Sequence, residues 1–130
     1  MKNIIKISYL VFLFLAITAC QRKKKDSIDY KNRVTIILNN LDESLINDTI
    51  KEKTLDTLYQ FLLKFKNDSI NRNCIFKIAN KHYNLGQFNK YQKLTQKVQE
   101  LAIKKRDTAH LAKALYYLGD YYDEKSQLDS

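Results

Sequence analysis

The chain has 130 residues, with 23 Lys and Arg against 14 Asp and Glu, a formal net charge of +9, no Pro, no Trp and two Gly. So few turn formers exclude a β-rich domain, which needs them at each strand reversal. Once the N-terminal segment is set aside, about a hundred residues remain, enough for one modest core.

Residues 7–19 form an apolar run that follows Lys2 and Lys6 and ends in Ile17-Thr18-Ala19-Cys20. About thirteen apolar residues suit the core of a secretory signal and fall short of the ~20 that a bilayer-spanning helix needs. Small residues before a cysteine let a peptidase thread an extended backbone, and this ending resembles a bacterial lipobox. The resemblance implies a signal peptide over 1–19 and acyl chains such as palmitate on Cys20. It places the mature protein in the bacterial cell envelope, anchored to a membrane and facing the periplasm. By the same resemblance, Gln21 rather than Asp favours the outer membrane. The alternative is an ordinary signal or an uncleaved anchor in which Cys20 has no role. Each buried methylene of an acyl chain contributes about 0.8 kcal/mol, so two or more chains make attachment stable.

A tether over 20–28 comes next, and its Arg22, Lys23, Lys24 and Lys25 are each worth on the order of 1 kcal/mol beside anionic head groups. Removing residues 1–19 takes away Lys2 and Lys6 and no acid, which lowers the net charge of +9 by two, to +7. Four of those charges sit in the tether and the rest of the chain intersperses Lys with Asp and Glu, so nucleic acid is not the expected partner.

Periodicity predicts five helices over 29–130. The first carries Tyr30, Val34, Ile37, Leu38, Leu41 and Leu45 at the three-and-four spacing of one face. The second opens at Thr49 with Glu52 as a capping box and continues through Leu55, Leu58, Leu62 and Phe65. Asp68 or Ser69 caps the third, which carries Ile70, Cys74, Ile78, Ala79 and His82. Gly86 supplies the following turn. Asn89 with Gln92 is expected to cap the fourth helix, whose stripe is Tyr91, Leu94, Val98, Leu101 and Ala102. Asp107 caps the fifth, with the stripe Leu111, Ala112, Leu115, Leu118, Gly119 and Tyr122. Short connections make neighbouring helices antiparallel.

The third and fifth helices also repeat one another. Ile75-x-x-Ile78-Ala79-x-x-His82 matches Leu115-x-x-Leu118-Gly119-x-x-Tyr122 at an offset of forty residues. The small residue at the third of these positions lets a partner backbone approach, a reason for Gly119 to stand mid-helix at a propensity cost of about 1 kcal/mol. This pattern of large, apolar, small and aromatic positions resembles the first helix of a tetratricopeptide repeat, over roughly residues 68–130. An offset above the usual ~34 and Tyr91, where the pattern prefers a small residue, describe a long-helix variant of it. The expected fold is therefore all-α, with antiparallel helical hairpins stacked as a short tetratricopeptide-like α-solenoid. The last helix lacks its pairing helix, so the repeat domain is expected to be the N-terminal piece of something longer.

Motifs for chemistry are sparse. Two glycines cannot build a phosphate-cradling loop, and no H-E-x-x-H or cysteine pair offers a metal site. His82 falls on the apolar stripe and reads as a packed structural histidine, His110 as a solvated one, and Cys74 as a buried, inert thiol with no disulfide partner. No catalytic residue, metal or cofactor is expected. Tyr116, Tyr117, Tyr121 and Tyr122 crowd the fifth helix, and Tyr117 with Tyr121 either pack against the helix before it, the favoured reading, or stay exposed as an aromatic patch suited to protein contacts. The repeat resemblance implies a concave groove lined by residues one step off each first helix's packing stripe. Those are Asn73, Phe76, Asn80, Tyr83 and Asn84, then Lys113, Tyr116, Asp120, Asp123 and Glu124. Amides there can bond an extended backbone while rings take its side chains. The expected function is a lipid-anchored module that binds a protein or peptide. The alternative is the sensory N-terminal region of a signalling protein, a histidine kinase or transcriptional regulator, whose output domain lies elsewhere.

Overall fold

A computed structural model describes residues 29–41 and 46–128, with side chains to Ser126. The signal segment, Cys20, the basic tether and Leu45 lie outside the described residues. The chain divides between Arg33 and Val34 into two units. In the described part of the first, Asp29 and Arg33 pair at 3.0 Å one helical turn apart.

All regular structure among the described residues is α-helical: α1 over 29–41, α2 (Asp48–Leu62), α3 (Ser69–Asn84), α4 (Phe88–Lys105) and α5 (Thr108–Leu128). Each of α3, α4 and α5 packs on the helix before it. Among the described residues no helix is long and apolar enough to cross a membrane. The core follows the predicted stripes through α4. Val34, Leu38 and Leu41, then Leu55, Leu58 and Leu62, then Ile75, Ile78, Ala79 and His82, then Tyr91, Leu94, Val98 and Ala102 are all buried. Ile37, expected on the first stripe, is exposed, because Leu38 and Leu41 already fill that face.

Capping departs from expectation at two helices. α2 is capped two residues ahead of Thr49: Asn47 Oδ1 accepts from the Thr49 amide at 2.7 Å. Asn is as good an N-cap as Thr, and Glu52, freed from a capping box, instead pairs with Lys90 of α4 at 2.7 Å. Lys90 also reaches Asp56 at 2.6 Å, so one ammonium joins α2 to α4. α2 ends at Leu62 rather than running on to Phe65, whose ring folds back edge-on to Phe61 at 4.8 Å. α4 starts at Phe88, ahead of Asn89, with Gln87 in the cap position but making no side-chain cap bond. Its carboxamide is already engaged, since His82 Nδ1 donates to Gln87 Oε1 at 2.5 Å. Asp68 and Asp107 cap α3 and α5 as expected, accepting from the Asn71 and His110 amides at 2.9 and 3.1 Å.

The turns after α3 and α4 share one geometry. The Gln87 amide donates to His82 O and the Gly86 amide to Tyr83 O; twenty residues later, Asp107 donates to Ala102 O and Arg106 to Ile103 O. This pair of bonds is the Schellman motif, which needs a left-handed residue just past the helix end. Gly86 fills that place at φ 70 and Arg106 at φ 52.

Buried polar groups tie one end of the bundle. Asn71 Nδ2 donates to Leu62 O at 2.8 Å, so the last carbonyl of α2 accepts both from this side chain and from the Phe65 amide. Arg72 is buried, and its guanidinium donates to Asn67 Oδ1 and to Asp107 Oδ2, both at 2.6 Å. Asn67 in turn donates to Leu101 O at 3.0 Å. Asp107 Oδ2 also meets His110 Nδ1 at 2.7 Å. His110 is thus buried, correcting the expectation of a solvated side chain: its ring stacks on Phe76 with centroids 6.2 Å apart. The His110 amide and the Arg72 guanidinium hold the Asp107 carboxyl down at about 2. Burial lowers the His82 pKa, the Gln87 bond and Asp56 opposing it.

α5 is rotated from the predicted face. Of the stripe Leu111, Ala112, Leu115, Leu118, Gly119 and Tyr122, Leu118 alone is buried, while Leu115 and Tyr122 are 52% and 51% exposed. The covered face is His110, Ala114, Leu118 and Tyr121, with Tyr117 half-buried beside them. The repeat-equivalent positions of α3 are all buried because α3 lies against both α2 and α4.

Candidate functional site

The α3–α5 region holds a cleft of about 330 Å³, lined by Asn80 and Tyr83 of α3, Tyr91 of α4, and Tyr117, Asp120, Asp123 and Glu124 of α5. Helical spacing puts these groups side by side. Residues 80 and 83 are one turn apart, as are 117, 120 and 124, so each helix lends one strip of its surface. Tyr91 makes the floor: it is buried, its ring centroid lies 5.1 Å from Tyr83 and 6.4 Å from Tyr117, and its hydroxyl donates to Tyr117 O at 3.2 Å. These separations are those of favourable tilted and edge-to-face aromatic pairs. The Tyr91 ring thus lies against Tyr83 of α3 and Tyr117 of α5 at the base of the cleft. Tyr121 backs the floor from the other side, 6.3 Å from Tyr91.

One end of the cleft is closed by the Tyr83 hydroxyl donating to Glu124 Oε1. That bond raises the Tyr83 pKa, and burial pushes the Tyr91 hydroxyl up to about 12, with Tyr117 and Asp120 adding to the effect. Toward the other end Lys113 sits with its Nζ 5.0 Å from the Phe76 ring centre and 5.6 Å from that of Tyr117. A second recess, of about 270 Å³, lies between Thr35, Leu38 and Asn39 of α1 and Lys77, Asn80, Lys81 and Asn84 of α3. Asn80 belongs to both, so the two recesses adjoin.

No family model, curated protein or solved structure matches the chain. Of the ten groove residues expected from sequence, Asn80, Tyr83, Asp120, Asp123 and Glu124 come together in the cleft, and Asn84 lines the adjoining recess. Phe76 does not offer its ring: it is 1% exposed, sealed by His110, Tyr117 and Lys113. Asn73, Lys113 and Tyr116 do not line the cleft, and Tyr116 projects into solvent from its edge on Tyr117. Tyr91 and Tyr117 were missed as lining residues. The signal available for Tyr91 was its size at a position where the repeat takes a small side chain.

The remaining chemistry-bearing groups are committed to the fold. His82 and His110 each spend one ring nitrogen on a cap or turn residue, Gln87 and Asp107. Cys74 is buried in the core. Among the described residues no group of three or more His, Cys, Asp or Glu is placed to hold a metal ion.

Proposed function

We propose that this chain is a non-catalytic, lipid-anchored module of the bacterial cell envelope. Its helices, read as antiparallel hairpins in a short tetratricopeptide-like stack, hold a protein or peptide in an extended groove. The observation that carries this reading is the pair of recesses meeting at Asn80 on one face of α1, α3 and α5. Alternate helices supplying a shared concavity is the arrangement by which helical repeats bind extended segments. Cys20 and the basic run after it supply the membrane attachment, and no nucleic acid takes part.

A photoreactive phenylalanine analogue at position 80 tests the groove, with the same analogue at the exposed Lys53 of α2 as control. The reading expects discrete adducts from position 80 that the control lacks; identical adduct patterns would refute it. Cys20→Ala tests the anchor and is expected to release the protein from the membrane fraction. A second reading, the sensory part of a larger signalling protein, is favoured by the open face of α5, where Leu115, Gly119 and Tyr122 repeat positions that are covered in α3. Continuation of the reading frame past Ser130 into an output domain would establish it.

A further inference from the structure

We infer that the α3–α5 cleft receives a cationic side chain, lysine or arginine, carried on an extended segment of a protein partner. The inference rests on the groove reading above and narrows it to a ligand chemistry. Charge pairing across the molecule carries it. On a chain with 23 bases and 14 acids, a carboxylate without a cation is unusual. Asp29 pairs with Arg33, Asp48 with Lys51, Glu52 and Asp56 with Lys90, Glu100 with Lys97, and Asp107 with Arg72. Asp68 caps α3. Among the described residues the acids that neither cap a helix nor appear in these ion pairs are Asp120, Asp123 and Glu124, and all three line this one cleft.

The walls suit a cation as well as the rim does. Tyr83, Tyr91 and Tyr117 present aromatic surface, and ring faces attract ammonium and guanidinium groups at centroid distances within ~6 Å. The protein already uses this wall in that way, since Lys113 lies over Phe76 and Tyr117 at the neighbouring position. A cleft of about 330 Å³ accepts the apolar stem of a long side chain with its charged head at the carboxylates. Its continuity at Asn80 with the recess against α1 gives an extended main chain a path that a free amine would leave empty.

The test is fluorescence anisotropy on the full chain in mild detergent. The probes are labelled, end-capped dodecapeptides of neutral sequence carrying one central Lys, matched against the same peptides with norleucine. Replacing Lys by norleucine is expected to weaken binding about tenfold or more, the loss of a charge-assisted contact together with a cation–ring contact. Asp120→Asn with Asp123→Asn, neither of which spans two helices, is expected to abolish that preference with helicity unchanged. Peptides that bind equally with Lys or norleucine would overturn the cationic specificity and leave the groove standing. Binding by no peptide would remove both. Cadaverine binding as tightly as the best peptide would overturn the peptide occupant.

Discussion

Replacing Arg106 by glycine should make the protein more stable, although it deletes a whole side chain. Arg106 stands at φ 52 and ψ 36, in the left-handed region, at the end of α4. An L-residue there costs roughly 1–2 kcal/mol, most of which glycine escapes. Against that, glycine frees the unfolded chain by about 0.4–1 kcal/mol, and a cation leaves the helix C-terminus at a cost of about 0.3 kcal/mol. Lys104 and Lys105 still serve that terminus. The net gain for Arg106→Gly is about 0.5 kcal/mol, or about 2–4 °C in midpoint for a domain of this size. The same motif after α3 supplies the opposite experiment. Gly86 sits at φ 70, and a Cβ built on it meets nothing within 4 Å, so Gly86→Ala pays for backbone conformation alone. It should lower stability by about 0.5–1 kcal/mol. Thermal unfolding of the full chain in mild detergent, followed by far-ultraviolet circular dichroism, measures both. A lower midpoint for Arg106→Gly, or an unchanged one for Gly86→Ala, would refute the matched-turn argument.

The repeat-equivalent pair Ile75 and Leu115 should respond very differently to truncation. Ile75→Ala opens a cavity at a fully buried site and should cost about 2–5 kcal/mol in urea unfolding, whereas Leu115→Ala at 52% exposure should stay within about 0.5 kcal/mol. His82 has a folded pKa lowered by burial, so below its ordinary 6.5 the unfolded chain takes up protons that the folded chain refuses. Stability from this group is complete above pH 6.5 and declines as pH falls from there through the folded value; urea midpoints should show the slope, and His82→Phe should flatten it. The Asp107 carboxyl, held at about 2 against an ordinary 3.8, contributes stability that is complete above pH 3.8 and lost as pH falls through 2. Asp107→Asn, which keeps the α5 cap, should remove that acid transition with less damage than Asp107→Ala.

The buried faces of α1 to α4 were legible because each helix has one apolar stripe and a polar remainder. Leu55, Leu58 and Leu62, or Leu94, Val98 and Ala102, admit a single facing direction. α5 did not: Leu111, Leu115, Leu118 and Tyr122 make one apolar face, and Ala114, Tyr117, Leu118 and Tyr121 make another. Periodicity ranks neither, and the position of α4 decides. Arg72 was illegible for a different reason, since an arginine between Asn71 and Asn73 reads as solvated and its partner Asp107 lies thirty-five residues away. The cleft was half legible. Repeat register located Asn80, Tyr83, Asp120, Asp123 and Glu124, but Tyr91 and Tyr117 belong to packing surfaces, and only the spacing of α3 from α5 turns those surfaces into walls.

The Arg72 guanidinium gives the molecule a fulcrum. It fastens α3 near its N-terminus to Asp107, which caps the start of α5, and to Asn67, which holds α4 through Leu101. The cleft lies at the far ends of the same two helices, where the direct side-chain bond from jaw to jaw is the one between Tyr83 and Glu124. α5 is also held to α4 at that end, where Gln92 Nε2 donates to the Tyr122 hydroxyl at 2.9 Å. The carboxylates of the cleft are thus carried on a helix fixed at its start to α3 and, through the buried Leu118 and Tyr121, along its length to the core, so their spacing is set by the fold itself.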